Sequence, residues 1–184
     1  MQLEKLVQDI KYKGNPKNCE ITSIAYDSRK VRKGTLFVAI SGFNVDGHDY
    51  ISQAITNGAS AILSNGRSPN IDTIPIIQVE NPRIALSKIS SYFYGNPSSG
   101  MNVIGVTGTN GKTSITHILH HIIQSSGTEC GTIGTLGFKS PSGMVSTGFT
   151  TPESVEVHQM LNTLKLAQVN NIIMEISSHS LNLY

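Results

Sequence analysis

A loop that could hold phosphate stands near the middle of the chain, in the segment GVTGTNGKTS from Gly105 to Ser114. It follows the apolar run NVI, and its glycines recur every third residue before Lys112 and Thr113. Glycines let backbone N–H groups converge on phosphate oxygens, and the N-terminus of a following helix adds its dipole. In such a P-loop Lys112 reaches the outer phosphates and the Thr113 hydroxyl binds Mg²⁺. The pattern predicts a nucleotide site at Gly108, Thr109, Asn110, Gly111, Lys112 and Thr113.

The loop departs from the general P-loop pattern at one position. That pattern has a glycine where this chain has Val106, which lies between Gly105 and Gly108. A glycine-rich turn with an incidental Lys-Thr pair is the alternative. Because an apolar strand pattern precedes the loop and an amphipathic helix pattern follows it, the context favours a variant phosphate loop.

A carboxylate that could complete a metal site follows a later apolar run, NIIMEIS, as Glu175. Burying a lone carboxylate costs free energy, whereas a carboxylate that faces Mg²⁺ is compensated. A glutamate at a strand end can equally face solvent, and Glu175 alone leaves both readings open. Together with the loop, it predicts Thr113 and Glu175 as metal ligands and Lys112 and Glu175 as catalytic residues. His179 could touch substrate, but we do not assign it to the metal.

Two other patterns indicate no site. The glycines at 131, 134 and 137 do not form a GxGxxG fingerprint, and close packing of a glycine-rich strand explains them better. His117, His120 and His121 lack a third ligand or a glutamate at HExxH spacing, so a partly exposed helix face is expected there.

Composition excludes several classes of protein. The 184 residues carry a formal net charge of +2, and their Lys and Arg residues are scattered, so nothing indicates a nucleic-acid surface. Cys19 and Cys130 lie far apart, which favours neither a disulfide framework nor a zinc site. Charges at Glu4, Lys5 and Asp9 interrupt the segment where a signal peptide would be apolar, and no run reaches the length of a membrane span. We expect a cytoplasmic protein.

Alternating strand and helix patterns predict an α/β fold. The expected elements of the first half are a helix at 3–10, strands at 21–26 and 36–40 with a turn at Lys33-Gly34, a helix at 49–57 ended by Gly58, strands at 60–64 and 74–79, and a helix from Asn81-Pro82. A buried stripe on this last helix is expected at Ile84, Ala85, Ile89, Tyr92 and Phe93.

A domain boundary is expected in the aperiodic stretch 94–102, YGNPSSGMN. The elements expected after it are a strand at 102–107, the loop, a helix at 113–125 ended by Gly127, a strand at 131–136, a glycine- and serine-rich loop, a helix from Pro152 to about Val169, and the strand NIIMEIS. We predict a small N-terminal α/β domain at 1–97. At 98–184 we predict the first part of a P-loop domain with a mostly parallel sheet buried on both faces.

These segments resemble the Mur ligase family over nearly the whole chain. GVTGTNGKTS, FTTPES and MEISSHSL are similar to the family's central ATPase domain. YDSRKVRKGTLFVAISGFNVDGHDYI and NPRIALSKISSYFYGNPS are similar to its N-terminal, UDP-MurNAc-binding domain. Thr-Thr-Pro-Glu after the loop and Met-Glu-Ile-Ser-Ser-His point to the MurE type, the UDP-N-acetylmuramoyl-tripeptide synthetases.

The resemblance implies a ligase of peptidoglycan precursor synthesis with ATP and Mg²⁺ as cofactors. ATP phosphorylates the D-glutamyl γ-carboxylate of UDP-MurNAc-L-Ala-D-Glu, and the amine of diaminopimelate or lysine attacks the acyl phosphate. A cytoplasmic monomer that binds neither nucleic acid nor membrane is implied. The implied substrate-binding residues are Tyr26, Ser28, Gly42, Phe43, Asn44, Val45, Thr150, Thr151 and Ser177.

Three alternatives stay open. Thr151 precedes Pro152 and could cap a helix, a role compatible with substrate contact. Folylpolyglutamate synthases share a similar loop and chemistry, but they lack the N-terminal domain that carries Asp-Ser-Arg here. A non-catalytic module that binds ATP or a UDP-sugar is the third alternative.

Some features of the family are not found in this sequence. Leu183 stands where the family often has a substrate-binding Gln. A carbamylated lysine and a histidine that bind further metal, and the domain that selects the amino acid, are expected beyond Tyr184. We therefore expect the chain to be the first part of a ligase and to be inactive alone.

Overall fold

The computed structural model describes residues 1–16, 19–42, 45–67, 73–148 and 150–181. The chain folds as two compact units, Met1–Phe93 and Tyr94–Tyr184. The division lies beside the glycine- and proline-containing stretch in which the sequence predicts a boundary.

The first unit is built on a parallel sheet of four strands in the order β1-β2-β3-β4. Its elements are α1 (Leu3–Val7), β1 (Ser23–Ala25), a 3₁₀ helix (Ser28–Lys30), β2 (Thr35–Val38), a second 3₁₀ helix (Gly47–Tyr50), α2 (Ile51–Thr56), β3 (Ala59–Ser64), β4 (Ile76–Gln78) and α3 (Pro82–Phe93). The predicted turn at Lys33-Gly34 does not fold β1 back on β2, because the two strands run parallel and a 3₁₀ helix lies between them. Gly34 adopts a left-handed φ of +87°.

The central strands of this sheet are apolar along their length, as strands covered on both faces must be. All four residues of β2 are buried, as are nearly all of β3. Phe37 and Ile62 pack with Ile51 and Ala54 of α2 in one cluster. This core packs α2 against the central strands of the sheet.

Helix α3 begins where the sequence predicts. The Asn81 side chain accepts hydrogen bonds from the backbone N–H groups of Arg83 and Ile84, at 3.0 and 3.1 Å, so Asn81 caps the helix. Ala85 and Ile89 are buried as expected, but Ile84 is 42% exposed. The predicted stripe is therefore wrong at Ile84, which lies on the solvent side of the first turn.

The second unit is built on a sheet of five strands in the order β5-β9-β6-β7-β8. Its elements are β5 (Asn102–Val106), α4 (Lys112–Ser125), β6 (Cys130–Gly134), β7 (Gly137–Ser140), β8 (Gly143–Val145), α5 (Ser154–Leu166), β9 (Asn171–Glu175) and α6 (Ser178–Leu181). The strands β5, β9 and β6 are parallel, whereas β7 and β8 are antiparallel. The glycine- and serine-rich loop expected here is wrong, because much of it forms the hairpin of β7 and β8.

The second core lies on both sides of β9. Leu161 and Leu164 of α5 belong to one cluster with Ile133 and Ile172, and Leu119 of α4 packs against a second cluster. The outer strand β5 is exposed, contrary to the expected burial on both faces: Val103 and Ile104 are 43% and 39% exposed. Within the described residues, β5 pairs with β9 alone, which leaves its other edge uncovered.

No helix within the described ranges is long and apolar enough to cross a bilayer.

Candidate functional site

The predicted phosphate loop joins β5 to α4. Gly111 is the N-cap of α4 and has φ +79°, a left-handed conformation that side chains with a Cβ disfavour. Gly108 also has a positive φ, of +146°. The Lys112 ammonium donates hydrogen bonds to the backbone oxygens of Gly108 and Thr109, at 2.7 and 3.5 Å, and so lies over the loop. The loop thus presents a helix N-terminus and a cation together, which is the arrangement that phosphate requires.

Glu175 ends β9, the strand between β5 and β6, and is 1% exposed. Its Oε2 accepts hydrogen bonds from the hydroxyls of Thr113 and Thr135, both at 3.0 Å. Its Oε1 accepts from the backbone N–H of Thr135 at 3.2 Å. The solvent-facing alternative is therefore wrong, and the carboxylate points at the first turn of the helix that follows the loop.

The described groups that donate hydrogen bonds to the Glu175 carboxylate are all neutral: two hydroxyls and one backbone N–H. Among the residues that the structure describes, no Lys, Arg or His forms an ion pair with it. A buried carboxylate without a cation is costly, and Mg²⁺ would compensate it. The oxygens of Glu175 and Thr113 are the hard ligands that this ion takes, and it commonly keeps waters and substrate phosphates as its other ligands. No group of three His, Cys, Asp or Glu residues that could enclose a metal is found among the described residues.

The loop and the carboxylate line one cavity of about 280 Å³. Its lining residues are Thr109, Asn110, Gly111, Lys112, Thr113, Ser114, Thr135, Thr150, Glu175 and Ser177. The structure therefore brings together most of the predicted nucleotide loop, both predicted metal ligands and two of the predicted dipeptide-binding residues.

Thr151 connects the segment before α5 to the end of β9. Its hydroxyl donates to the backbone oxygen of Glu175 at 3.1 Å and accepts from the backbone N–H of Ser177 at 3.0 Å. The expected N-cap role is wrong, because the N-cap of α5 is Glu153 and the Thr151 hydroxyl is already engaged with the strand. The neighbouring Thr150 hydroxyl lies 3.1 Å from that of Thr135.

The residues predicted to receive the UDP end lie in the first unit. Tyr26 follows β1, while Gly42 and Val45 follow β2, and parallel neighbours place these ends at one edge of the sheet. Ser28 is buried and its hydroxyl donates to Gln53 Oε1 at 2.9 Å, so it has a structural partner as well. Phe43 and Asn44 lie outside the described residues.

An ionic cluster that the sequence did not predict lies at Asp46, next to the segment from Gly42 to Val45. The Asp46 carboxylate accepts from the Arg67 guanidinium at 2.6 Å, from the backbone N–H and ring of His48, and from Ser41 Oγ at 3.3 Å. These hydrogen bonds, His48 first, lower the pKa of Asp46 from 3.8 to about 2. The Asp-Gly-His sequence could have indicated part of this cluster, because Asp46 is the N-cap of the 3₁₀ helix Gly47–Tyr50.

The α4 histidines differ in burial. His121 is exposed and His117 partly so, which fits a helix face, but His120 is only 4% exposed. Burial lowers the pKa of the His120 ring.

Thr135 is a site residue that the sequence did not predict. It contacts both oxygens of Glu175 and lines the cavity. Gly134 beside it was a partial signal, because a Cβ at that position would collide with the Glu175 carboxylate. The close packing that the sequence predicts for the strand glycines is found at Gly131, which lies against Leu164.

Comparison with known families gives two matches. Residues 20–94 match the family described as "Mur ligase family, catalytic domain", and residues 106–183 match the "Mur ligase middle domain". The second match contains most of the phosphate loop, Glu175 and the dipeptide-binding candidates.

Curated relatives and solved structures agree with this. The chain is 39% identical to a UDP-N-acetylmuramoyl-L-alanyl-D-glutamate–2,6-diaminopimelate ligase of Caldanaerobacter subterraneus, with 100% of the chain and 38% of the relative covered. It is 44% identical to the ligase of the same name from Bacillus velezensis, with 89% and 33% covered. The chain thus spans well under half the length of these relatives.

A solved structure of a ligase with that name is superimposable with a TM-score of 0.76 over 100% of this chain and 37% of its own, at 22% identity. The likeness at this identity shows the fold. A Thermotoga maritima MurF ligase in complex with ADP gives a TM-score of 0.59 at 28% identity, with 85% of this chain and 32% of that chain covered. The chain therefore belongs to the Mur ligase family.

Proposed function

We propose that this chain provides the nucleotide site and the UDP-sugar domain of an ATP-dependent ligase. The ligase adds diaminopimelate or lysine to UDP-MurNAc-L-Ala-D-Glu during peptidoglycan precursor synthesis. The observation that carries the proposal is the buried Glu175 carboxylate, hydrogen-bonded to Thr113 at the start of the phosphate-loop helix. The names of the curated relatives support the choice of substrate.

The chain's residues divide the work of phosphoryl transfer. Phosphoryl transfer depends mainly on positioning and charge stabilisation, because the protein does little covalent chemistry. The N–H groups of the loop and the Lys112 ammonium bind and orient the phosphates. Thr113 and Glu175 would hold Mg²⁺, which supplies neutralisation of the charge that develops on the transferred group.

The acceptor carboxylate is placed by Thr150 and Ser177. Both line the cavity that contains the loop, so a γ-carboxylate bound by them would face the outer phosphate. Thr151 acts indirectly, because its hydroxyl is hydrogen-bonded to the backbone of Ser177 and of Glu175 and so positions these two residues. Tyr26, Ser28 and the segment from Gly42 to Val45 would receive the UDP end.

We also propose a cellular location, an oligomeric state and a class of ligand for the protein. We place the protein in the cytoplasm as a monomer that acts on small molecules and not on nucleic acid, which its net charge of +2 with scattered basic residues supports. We expect the chain alone to bind these ligands without completing ligation. Tripeptide formed by the purified 184-residue chain would contradict this last point.

Calorimetric titration with UDP-MurNAc-L-Ala-D-Glu tests the substrate assignment. Binding is expected, and Ser28→Ala and Thr151→Val are each expected to weaken it by about 10-fold. Ser28→Ala removes a hydroxyl proposed to contact the substrate, whereas Thr151→Val removes the two hydrogen bonds that hold the backbone of Glu175 and Ser177. Ser23→Ala is the matched control in the first unit. Its hydroxyl also bonds another side chain, Thr35 at 2.8 Å, but lies at the amino end of β1.

The outcomes separate the alternatives. Equal binding by wild type, Ser28→Ala and Thr151→Val would remove our substrate assignments. Binding of a folate but not of the muramoyl dipeptide would favour a folylpolyglutamate synthase-like ligase. Binding of nucleotide without either acceptor would favour a non-catalytic module.

A further inference from the structure

We propose that Thr135 is a positioning residue that sets the orientation of the Glu175 carboxylate for Mg²⁺-dependent nucleotide binding. This inference rests on the proposed function, since it concerns the same nucleotide site. Thr135 stands outside the phosphate loop and the Ser-Ser-His segment, directly after β6, and belongs to none of the motifs that predicted the site.

Thr135 makes a two-point contact with the carboxylate. Its backbone N–H donates to Oε1 at 3.2 Å and its hydroxyl donates to Oε2 at 3.0 Å. Two donors from one residue, one for each oxygen, fix the plane of the carboxylate as well as its position. Thr113 makes a single contact, to Oε2, and by itself would leave rotation about the last side-chain torsion free.

The neighbouring glycine makes this contact possible. A Cβ at Gly134 would overlap the Cγ, Cδ and Oε1 atoms of Glu175, so only glycine lets β6 approach the carboxylate this closely. Gly134 and Thr135 therefore act together: one provides the space and the other provides the donors.

Thr135 also reaches the second half of the cavity. Its hydroxyl lies 3.1 Å from that of Thr150, in the segment proposed to hold the dipeptide. Because a hydroxyl carries one hydrogen, Thr135 donates either to Glu175 or to Thr150 at any instant. One side chain thus adjoins both the metal-binding carboxylate and the acceptor side of the cavity.

Removal of the hydroxyl alone is the test. Thr135→Val keeps the size of the side chain and the backbone N–H, but loses the donor to Oε2. ADP affinity is measured by calorimetry with Mg²⁺ and again with EDTA in its place. We expect the variant to lose about 10- to 100-fold in Mg²⁺-dependent affinity, as for other groups that orient metal ligands, while Mg²⁺-free ADP binding stays unchanged.

Two further variants make the result specific. Thr135→Ser retains the hydroxyl and is expected to restore Mg²⁺-dependent affinity to within about 3-fold of wild type. Thr163→Val is the matched control, because Thr163 is an exposed threonine on α5 whose hydroxyl bonds only the backbone oxygen of Gln159 among its described contacts. It is expected to behave as wild type in both titrations.

The possible failures are distinguishable. Wild-type chain that binds no ADP under either condition would overturn the proposed function itself. Wild-type binding that depends on Mg²⁺, together with equal Mg²⁺-dependent binding by Thr135→Val, would overturn only the positioning role. Equal losses with and without Mg²⁺ would also contradict it, since they would indicate general damage to the fold rather than a misoriented carboxylate.

Discussion

Gly134→Ala is expected to separate the proposed role of β6 beside the Glu175 carboxylate from the role of β6 in the core. The added Cβ would lie about 2.6 Å from Glu175 Cδ and 2.7 Å from Cγ, far inside ordinary contact distance. Relief requires the Glu175 side chain to rotate away from Thr113 and Thr135. Overpacking costs roughly 1–3 kcal/mol and the reduced backbone entropy of the unfolded chain returns roughly 0.5–1 kcal/mol, so the net loss of stability is at most about 2.5 kcal/mol.

Gly131→Ala provides a matched comparison in the same strand. Its Cβ would lie 2.7 and 2.8 Å from the two terminal methyl carbons of Leu164, so the overpacking is of similar severity but falls on an apolar side chain. Urea denaturation should give similar losses of stability for the two variants. Only Gly134→Ala should lose Mg²⁺-dependent ADP affinity in calorimetry, by about 10- to 100-fold.

Two outcomes would refute this reasoning. If Gly134→Ala keeps the Mg²⁺-dependent affinity of wild type, the orientation of Glu175 is not what binds the metal. If Gly131→Ala loses as much Mg²⁺-dependent affinity as Gly134→Ala, the loss comes from distortion of β6 and not from the carboxylate.

Two more predictions concern charged groups. Lys112→Met should weaken ADP binding by at least about 10-fold with and without Mg²⁺, because we propose that its ammonium binds phosphate rather than metal. Urea denaturation should show a stability change below about 0.5 kcal/mol. An unchanged affinity would contradict the proposed role. Asp46→Asn should lower the free energy of unfolding at neutral pH, because the folded state depresses the pKa of Asp46 from 3.8 to about 2. The difference in free energy of unfolding between wild type and variant should therefore shrink as the pH falls through that interval. Denaturation at a series of pH values measures it, and a difference that stays constant down to about pH 2 would show that the Asp46 charge is not the cause.

The parts of the fold that follow local rules could be predicted from the sequence. The Asn81 cap of α3, the glycine that ends α2 and the strand that leads into the phosphate loop all depend on neighbours a few residues away. Glu175 was predictable because a charge at the end of an apolar run contradicts the run's own pattern.

The features that the sequence did not predict depend on residues that are distant from one another in the chain. The Thr151 hydroxyl looked like a helix cap, yet its partners are Glu175 and Ser177 on another element. Thr135 contacts a residue 40 positions away, and no periodicity encodes that pairing. The hairpin of β7 and β8 was missed because its strands are too short to show an alternating pattern.

We propose that Glu175 is the carboxylate through which Mg²⁺ strengthens nucleotide binding. The most direct test is ADP affinity, with Mg²⁺ and with EDTA, for wild type and Glu175→Gln, a variant that keeps the size of the side chain and removes its charge. We expect Mg²⁺ to raise the ADP affinity of wild type by at least about 10-fold and that of Glu175→Gln hardly at all. A Glu175→Gln chain that retains the full Mg²⁺ dependence would contradict it.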